Sequence, residues 1–170
     1  MLAIVIAAVI IISDQISKYF VIRDLKPVID IPLWDGVFHL HYAQNTGGAF
    51  SILQNQQWIF YIFNTIAIFF ILYMIFKEKK TLGIFGLVSL AMIMGGAIGN
   101  LIDRIRFGYV VDFLYFKLIN FAIFNVADSC ITIGSILLGI YVLFLYEKRS
   151  ALQAPPAEHH EPAGSEGEGN

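Results

Sequence analysis

Cysteine, basic residues and charge in general are scarce in this sequence, and each scarcity excludes a class of protein. The single cysteine, Cys130, has no partner for an intrachain disulfide and no companions for a cysteine-built metal site. Eleven Lys and Arg against thirteen Asp and Glu give a net charge of -2, so no basic stripe is present to bind nucleic acid. Only 14% of the residues are charged, whereas 58% are hydrophobic. Such an apolar composition is typical of membrane proteins.

Four long apolar segments predict four membrane-spanning helices, each near the length that crosses the hydrocarbon layer. The first starts at Met1 and carries charges near its end, and the others cover Trp58–Phe76, Leu82–Leu101 and Asn125–Tyr146. A cleaved signal peptide is the alternative for the first segment, but neither a positive n-region nor a small-x-small cleavage site accompanies it. We therefore expect an uncleaved first helix.

Two connections between the apolar segments predict structure outside the hydrocarbon. Residues 27–57 form short apolar runs broken by prolines and glycines, with an alternating VFHLHYA pattern that predicts a small β element. Residues 105–124 form a second connection before the last helix. The acidic tail at 150–170 is rich in Ala, Pro, Gly and Glu, so we expect disorder there. The predicted fold is an all-α membrane protein with one domain at 1–149.

The distribution of Lys and Arg predicts the orientation of the chain in the membrane. Four spans place both termini on one side, where basic residues cluster tightly at helix ends, as in the Lys77–Lys80 turn. The opposite connections hold their basic residues dispersed along longer segments. Since clusters at helix ends favour the cytoplasm, we expect cytoplasmic termini and both long connections outside it.

Asp112 and Asp128 predict acid–base chemistry if the fold brings them together. Two neighbouring carboxyls cannot both ionise at low cost, so they share a proton and supply one acid and one base. Aspartic peptide hydrolysis uses such a pair to activate a water and to protonate the leaving amine. The alternative from spacing alone is that Asp128 caps the fourth helix while Asp112 lies on a loop surface.

Other polar residues near the predicted site have two interpretations each. Asn45, Asn100 and Asn125 carry amides able to orient a substrate backbone or a carboxylate. Arg104 is able to hold Asp103 or to position a carboxylate at the site. A buried hydrogen-bond network that closes the end of the helix bundle would use Asn100 and Arg104 equally well.

Asp14 and Lys18 stand four residues apart in the favourable order for a helical ion pair. Either they have a functional role at the predicted site, or they only anchor the first helix at the membrane interface. His39 and His41 share one face of the predicted strand, but no third ligand follows at a supporting spacing. We therefore expect no metal site there.

Five motifs occur in order along the chain and carry a family resemblance. They are Asp14-Gln15-Ile16-Ser17-Lys18, Asn45-Thr46-Gly47-Gly48-Ala49-Phe50, Gly95 to Arg104, Val110-Val111-Asp112-Phe113 and Phe124-Asn125-Val126-Ala127-Asp128-Ser129. With the four-span layout, they resemble the lipoprotein signal peptidases, or signal peptidase II, of bacterial inner membranes. The resemblance covers roughly Val9 to Tyr146. Gly48 departs from the alanine often found there, and the acidic tail has no counterpart.

The resemblance implies a four-helix membrane aspartic endopeptidase with an extracytoplasmic β-cradle and its active site at the extracytoplasmic face. It implies that Asp112 and Asp128 are catalytic and that eight residues support them: Asp14, Lys18, Asn45, Gly47, Gly96, Asn100, Arg104 and Asn125. The implied substrates are prolipoproteins with a diacylglyceryl cysteine, cleaved just before that cysteine. Globomycin-type inhibitors would block the site, and no metal, cofactor or obligate protein partner is expected.

A proton-coupled transporter or channel is the rival function from another class, because intramembrane charges also line ion paths. The lack of internal repeats and the confinement of polar groups to one membrane face argue against it. A structural scaffold, the third alternative, would need no close pair of carboxyls. The relative position of Asp112 and Asp128 therefore discriminates among the three.

Overall fold

The computed structural model of the protein describes residues 1–48, 52–54 and 56–145. Four helices in these residues are long and apolar enough to cross a membrane. They are α1 (Leu2–Phe20), α2 (Gln57–Lys77), α3 (Lys79–Phe107) and α4 (Val126–Ile140), with π-helical turns at Val21–Leu25 after α1 and at Tyr141–Leu145 after α4. The prediction of four apolar helices is confirmed.

The third helix, α3, lies at the centre of the bundle. The helices α1, α2 and α4 each pack against it, and 61% of its most apolar stretch is buried, compared with 11–22% in the other three. A Cβ at Gly95 would touch the Ala7 carbonyl of α1, and a Cβ at Gly96 would collide with the Ala127 carbonyl of α4. Small residues allow such close backbone approach between membrane helices. The helix α3 therefore draws α1 and α4 together.

The two ends of the bundle differ in chemistry. The apolar core lies at the end that contains the start of α1 and includes Ala3, Ala7, Leu90, Ala91 and Met94. Buried polar side chains gather at the other end, where α1 and α3 finish and α4 begins. The outer face of α2 exposes Phe63, Phe69, Phe70 and Phe76 by 61–70%, as suits a surface in contact with lipid.

A three-stranded antiparallel sheet covers the polar end of the bundle. Its strands β1 (Asp30–Trp34), β2 (Phe38–Asn45) and β3 (Val110–Phe116) lie in the order β1-β2-β3. The first two form a hairpin whose turn includes Gly36 at a φ of +72°. The predicted β element is therefore confirmed within 27–57, but its third strand comes from the second connection. We missed β3 because both its faces are buried, which removes the polar alternation of a half-buried strand.

The third helix is longer than the sequence predicted. We expected its span to end at Leu101, whereas α3 continues to Phe107 and ends where Gly108 adopts a φ of +76°. The predicted span ended too early because the charges of Asp103 and Arg104 lower the hydropathy after Leu101. In the folded protein these charges are satisfied by contacts with other elements.

Some predictions are not decided by this fold. The acidic tail at 150–170 lies outside the described residues. The single-domain division at 1–149 and the side of the membrane on which the sheet lies stay predictions.

Candidate active site

Strand β3 carries Asp112 into the protein interior. Val110, Val111 and Asp112 are exposed by only 2%, 0% and 2%. Asp112 lies opposite Ala43 in the ladder with β2, and Asn45 at the end of β2 donates from Nδ2 to Asp112 Oδ2 at 2.9 Å. The alternative in which Asp112 lies on a loop surface is therefore wrong.

The fourth helix begins with a capping box formed by Asn125 and Asp128. Asn125 Oδ1 accepts a hydrogen bond from the Asp128 backbone N–H at 2.9 Å, and Asp128 Oδ2 accepts one from the Asn125 backbone N–H at 3.3 Å. The box satisfies two backbone donors that a helix start otherwise leaves without partners. Asp128 thus caps the helix, and this role leaves its second oxygen free to bind elsewhere.

One asparagine links the two aspartates. Asn125 Nδ2 donates to Asp112 Oδ1 at 2.7 Å and to Asn100 Oδ1 at 3.1 Å. Asn100 in turn donates from Nδ2 to Asp128 Oδ1 at 2.7 Å. The structure therefore gathers five of the predicted site residues in one hydrogen-bonded group, which we call the carboxylate cluster: Asn45, Asn100, Asp112, Asn125 and Asp128.

Burial and mutual repulsion make Asp112 a weak acid. Removal of its carboxylate from water is the largest cause and the negative charge of Asp128 the second, and together they raise the pKa of Asp112 to about 7. Hydrogen bonds from Asn45 and Asn125 act in the opposite direction. In the described part of the chain, no ion pair within 4.0 Å joins Asp112 or Asp128 to a cation. The pair is suited to hold one proton near neutral pH.

A buried lysine lies between a second pair of carboxylates beside the carboxylate cluster. Lys18 Nζ lies 2.9 Å from Asp14 Oδ2 and 2.9 Å from Asp103 Oδ2, and it donates to Asn100 Oδ1 at 3.1 Å. Lys18 is 2% exposed and both carboxylates are fully buried. Interface anchors would reach water, so that interpretation of Asp14 and Lys18 is wrong. The predicted ion pair is present and contacts the cluster through Asn100.

Asp103 and Gln15 complete this network, although we predicted a role at the site for neither of them from the sequence. Gln15 Nε2 donates to Asp103 Oδ1 at 3.0 Å and to the Gly99 carbonyl at 3.2 Å. Asp103 Oδ2 also accepts from the backbone N–H of Val111 at 3.1 Å, which ties α3 to β3. The available signal was position, since Asp103 lies three residues after Asn100 and shares its helix face.

Arg104 braces the loop after β2 instead of pairing with Asp103. Its Nη2 donates to the Gly47 carbonyl at 3.0 Å, and its guanidinium lies 4.6 Å from the centre of the Phe60 ring. Gly47 N–H donates to Asn45 Oδ1 at 2.9 Å and so orients that amide. A Cβ at Gly47 would collide with a backbone carbonyl of the next turn. Of the two roles that the sequence left open for Arg104, the contact with Asp103 is therefore wrong, whereas Arg104 and Gly47 do lie beside the carboxylate cluster.

Two cavities that differ in polarity meet at the carboxylate cluster. The first, which we call the polar cavity, has a volume of about 490 Å³ and is lined by Asp112, by mainly polar side chains of the sheet, by Asn120 and by the apolar 121–123 segment. The second, the apolar cavity, has a volume of about 530 Å³ and is lined by Asp128 and by mainly apolar residues of α4 and the 121–124 segment. Asn45, Gly48 and the 121–123 segment line both cavities. The two aspartates therefore lie at the boundary between a polar and an apolar binding space.

His39 and His41 both contact Asp30 across the hairpin. Their Nδ1 atoms lie 2.8 and 2.9 Å from the two carboxylate oxygens of Asp30. These hydrogen bonds, with that of His41 the larger, lower the pKa of Asp30. Among the described residues, no group of three or more His, Cys, Asp or Glu is arranged to hold a metal ion. The histidines thus tie β1 to β2.

Comparison with known proteins agrees with this arrangement. The sequence profile of a family described as Signal peptidase (SPase) II matches residues 6–144. The lipoprotein signal peptidase of Clostridioides difficile (strain 630) is 45% identical over 148 residues, which cover 87% of this chain and 99% of that protein. The one of Halalkalibacterium halodurans is 46% identical over 143 residues, which cover 83% of this chain and 88% of that protein. A solved structure described as a bacterial membrane enzyme matches with a TM-score of 0.78 at 31% identity, covering 91% of this chain and 92% of that chain.

The matched residues begin inside α1 and extend through the other three apolar helices, and they include the whole carboxylate cluster. Four apolar helices in a family of bacterial membrane enzymes make this chain a bacterial multi-pass membrane protein. The family resemblance of the five motifs is confirmed, and the chain belongs to the signal peptidase II family.

Proposed function

We infer that this chain is an aspartic endopeptidase that removes signal peptides from diacylglyceryl-modified prolipoproteins and cleaves just before the lipidated cysteine. The observation that carries the proposal is the linkage of two buried carboxyls, Asp112 and Asp128, through the amide of Asn125 and its partner Asn100. Relatives named lipoprotein signal peptidase support the class of substrate. The substrate's acyl chains hold it in the bilayer, because each buried methylene contributes roughly 0.8 kcal/mol.

The two aspartates take different roles because their surroundings differ. Asp128 accepts hydrogen bonds from the Asn100 amide and from the Asn125 backbone N–H, which stabilise an ionised carboxylate. The pKa of Asp112 is raised to about 7, so Asp112 holds the shared proton below neutral pH and is still about half protonated at pH 7. Asp128 is therefore the general base and Asp112 the general acid.

The reaction follows from these roles. Asp128 takes a proton from a water that attacks the carbonyl carbon preceding the lipidated cysteine. The O–H of Asp112 stabilises the developing oxyanion and then protonates the leaving amine as the C–N bond breaks. Transfer of a proton from Asp128 back to Asp112 restores the pair. No metal or cofactor takes part in these steps.

Positioning residues hold this pair in place. Asn45, Asn100 and Asn125 bind the carboxyls directly. Lys18 with Asp14 orients Asn100 from the other side. The remaining support residues act through backbone placement: Gly96 lets α4 approach α3, and Arg104 holds the loop at Gly47.

The membrane placement follows from the same function. We assign the protein to the bacterial inner membrane, with cytoplasmic termini and the sheet and active site at the extracytoplasmic face. Residues 1–149 act as one peptidase domain. The apolar cavity next to Asp128 accommodates acyl chains of the substrate, and globomycin-type inhibitors compete for the same space. The enzyme works without an obligate protein partner.

Cleavage by purified protein tests the proposal. Asp112→Asn and Asp128→Asn should each lower kcat/KM for a diacylglyceryl-cysteine peptide by at least about 1,000-fold, within the range for loss of general acid–base catalysis. Asp35→Asn removes a carboxylate that is 94% exposed on the same sheet and should change the rate less than twofold. Near-normal turnover by either of the first two variants would refute the pair.

Chelators and thiol reagents provide a second arm of the same experiment. Activity should survive EDTA, because the proposed chemistry needs no metal. It should also survive alkylation of Cys130, which lies two residues after Asp128 but has no role in the proposed steps. Loss of activity with EDTA would reopen the question of a metal at His39 and His41.

A further inference from the structure

The polar cavity extends from Asp112 into a space that the proposed reaction does not use. The lining side chains that matter here are His41, Gln44, Thr46, Gln54, Tyr115 and Asn120. Its volume of about 490 Å³ falls in the range that takes a small ligand or a short stretch of polypeptide. Among the described lining residues there is no Lys or Arg, and Asp112 is the one carboxylate.

Three parts of a lipidated prolipoprotein meet near the scissile bond: the signal segment, the acyl chains and the polypeptide that follows the cysteine. The signal segment before the cysteine and the acyl chains on the cysteine are apolar, and they suit the apolar cavity and the surrounding lipid. The chain after the cysteine is destined for water and is polar. In the proposed reaction Asp112 protonates the amine of the lipidated cysteine, which leaves with the polypeptide that follows it, and Asp112 lines the polar cavity. This polypeptide therefore lies on the polar side of the carboxylate cluster.

Resting on the proposed function, we propose that the polar cavity binds the residues that follow the lipidated cysteine and that His41 and Gln44 help select the first of them. A neutral polar or basic side chain is favoured at that position over an acidic one. The site thus recognises the residue after the lipidated cysteine as well as the acyl chains.

The charges around His41 set this preference. Its Nδ1 lies 2.9 Å from Asp30 Oδ1, so a carboxylate lies behind the cavity wall, while Asp112 stands at the other end of the cavity. The Asp30 carboxylate and the one negative charge that Asp112 and Asp128 share both disfavour a further negative charge in the cavity, and partial exclusion of water strengthens the repulsion. The ring of His41 packs 5.9 Å from that of Tyr115, whose hydroxyl donates to Asn120 Oδ1 at 2.8 Å. The wall is therefore held in place before substrate binds.

Cleavage selectivity tests the inference. The full-length protein in detergent is given diacylglyceryl-cysteine peptides that differ only in Ser, Lys or Asp directly after the cysteine. For the wild type, kcat/KM should be roughly tenfold lower for the Asp peptide than for the Lys peptide, with the Ser peptide near the Lys peptide. His41→Lys and Gln44→Lys should each raise the Asp-to-Lys ratio about tenfold, because a positive charge then faces the substrate side chain.

Asp35→Asn is the matched control, because it changes the net charge by the same +1 on the same hairpin but lines neither cavity. It should move the Asp-to-Lys ratio less than twofold. Gln44 is exposed and lies apart from the His41–Asp30 contact, so Gln44→Lys decides the question if His41→Lys does not fold.

The outcomes separate this inference from the proposed function. An unchanged ratio in folded Gln44→Lys, or an equal change in Asp35→Asn, overturns the assignment of the polar cavity while leaving the peptidase proposal intact. A wild-type protein that cleaves none of the three peptides overturns the peptidase proposal, and the cavity assignment falls with it.

Discussion

Two pairs of buried aspartates lie side by side in this protein, and they differ in what balances their charge. Asp14 and Asp103, the lysine-held pair, share the ammonium of Lys18 at 2.9 Å each. Asp112 and Asp128, the amide-held pair, receive hydrogen bonds from asparagine side chains and a backbone N–H. A buried cation between two carboxylates offsets part of their charge and ties the elements that carry them together, whereas a pair with only neutral donors keeps a proton that it can transfer.

The two pairs are coupled through Asn100. Lys18 carries only donors, so the oxygen of the Asn100 amide must face it, and the nitrogen then faces Asp128. The lysine-held pair thus determines which end of this amide reaches the amide-held pair. Aspartate is structural in the lysine-held pair and suited to proton transfer in the amide-held pair, because a cation lies beside the first pair.

Removal of the cation should give the largest change in stability. Lys18→Met leaves two buried carboxylates without a cation, which we expect to lower the free energy of unfolding by about 3–5 kcal/mol. Unfolding in detergent micelles measures the effect. Lys26→Met, at an exposed position shortly after α1, should stay within about 0.5 kcal/mol. Equal stability of the two variants would show that the lysine-held pair is not structural.

The amide-held pair should instead make stability depend on pH. The pKa of Asp112 is raised from 3.8 to about 7 in the folded protein, so the folded state binds more protons than the unfolded state between these values. Wild-type stability therefore falls as pH rises from about 4 to 7. Asp112→Asn lacks the titrating carboxyl. As pH rises from about 4 to 7, its free energy of unfolding should therefore rise by about 2–4 kcal/mol relative to that of the wild type.

Unfolding of both proteins at pH 4, 6 and 8 measures this difference. Asp35→Asn, at an exposed position, should follow the wild type at every pH. A constant difference between Asp112→Asn and wild type would mean that Asp112 titrates near its ordinary value and does not hold the shared proton.

The smallest expected effect concerns the pH dependence of cleavage. Asp112 must be protonated to act as the acid, so activity should fall as pH rises through about 7. The hydrogen bond from Asn45 favours the ionised form of Asp112 and lowers its pKa. Asn45→Ala should therefore move the alkaline limb of kcat/KM upward by about one pH unit. A limb that stays in place or moves to lower pH would contradict the assigned roles.

Local sequence signals predicted the helices and the identity of the paired aspartates. Runs of about twenty apolar residues do not require knowledge of the fold, and the motifs around Asp112 and Asp128 were specific enough to indicate a family. The strand β3 was missed because its burial on both faces depends on elements distant in the sequence. The end of α3 was missed for a related reason, since Asp103 finds its lysine on another helix.

The sequence by itself determined that this chain is a membrane protein of four apolar helices and that it carries an unusual set of carboxyl and amide groups among them. Hydropathy and the order of motifs are properties of the sequence, so they can be recognised without knowledge of distances in the folded protein. Only the tertiary structure decided that Lys18 lies between Asp14 and Asp103, while no cation of the described residues lies within 4.0 Å of Asp112 or Asp128. The strength of an acid depends on which charges and amides lie within a few ångströms, and the packing of α1, α3, α4 and β3 brings those groups together from distant parts of the chain.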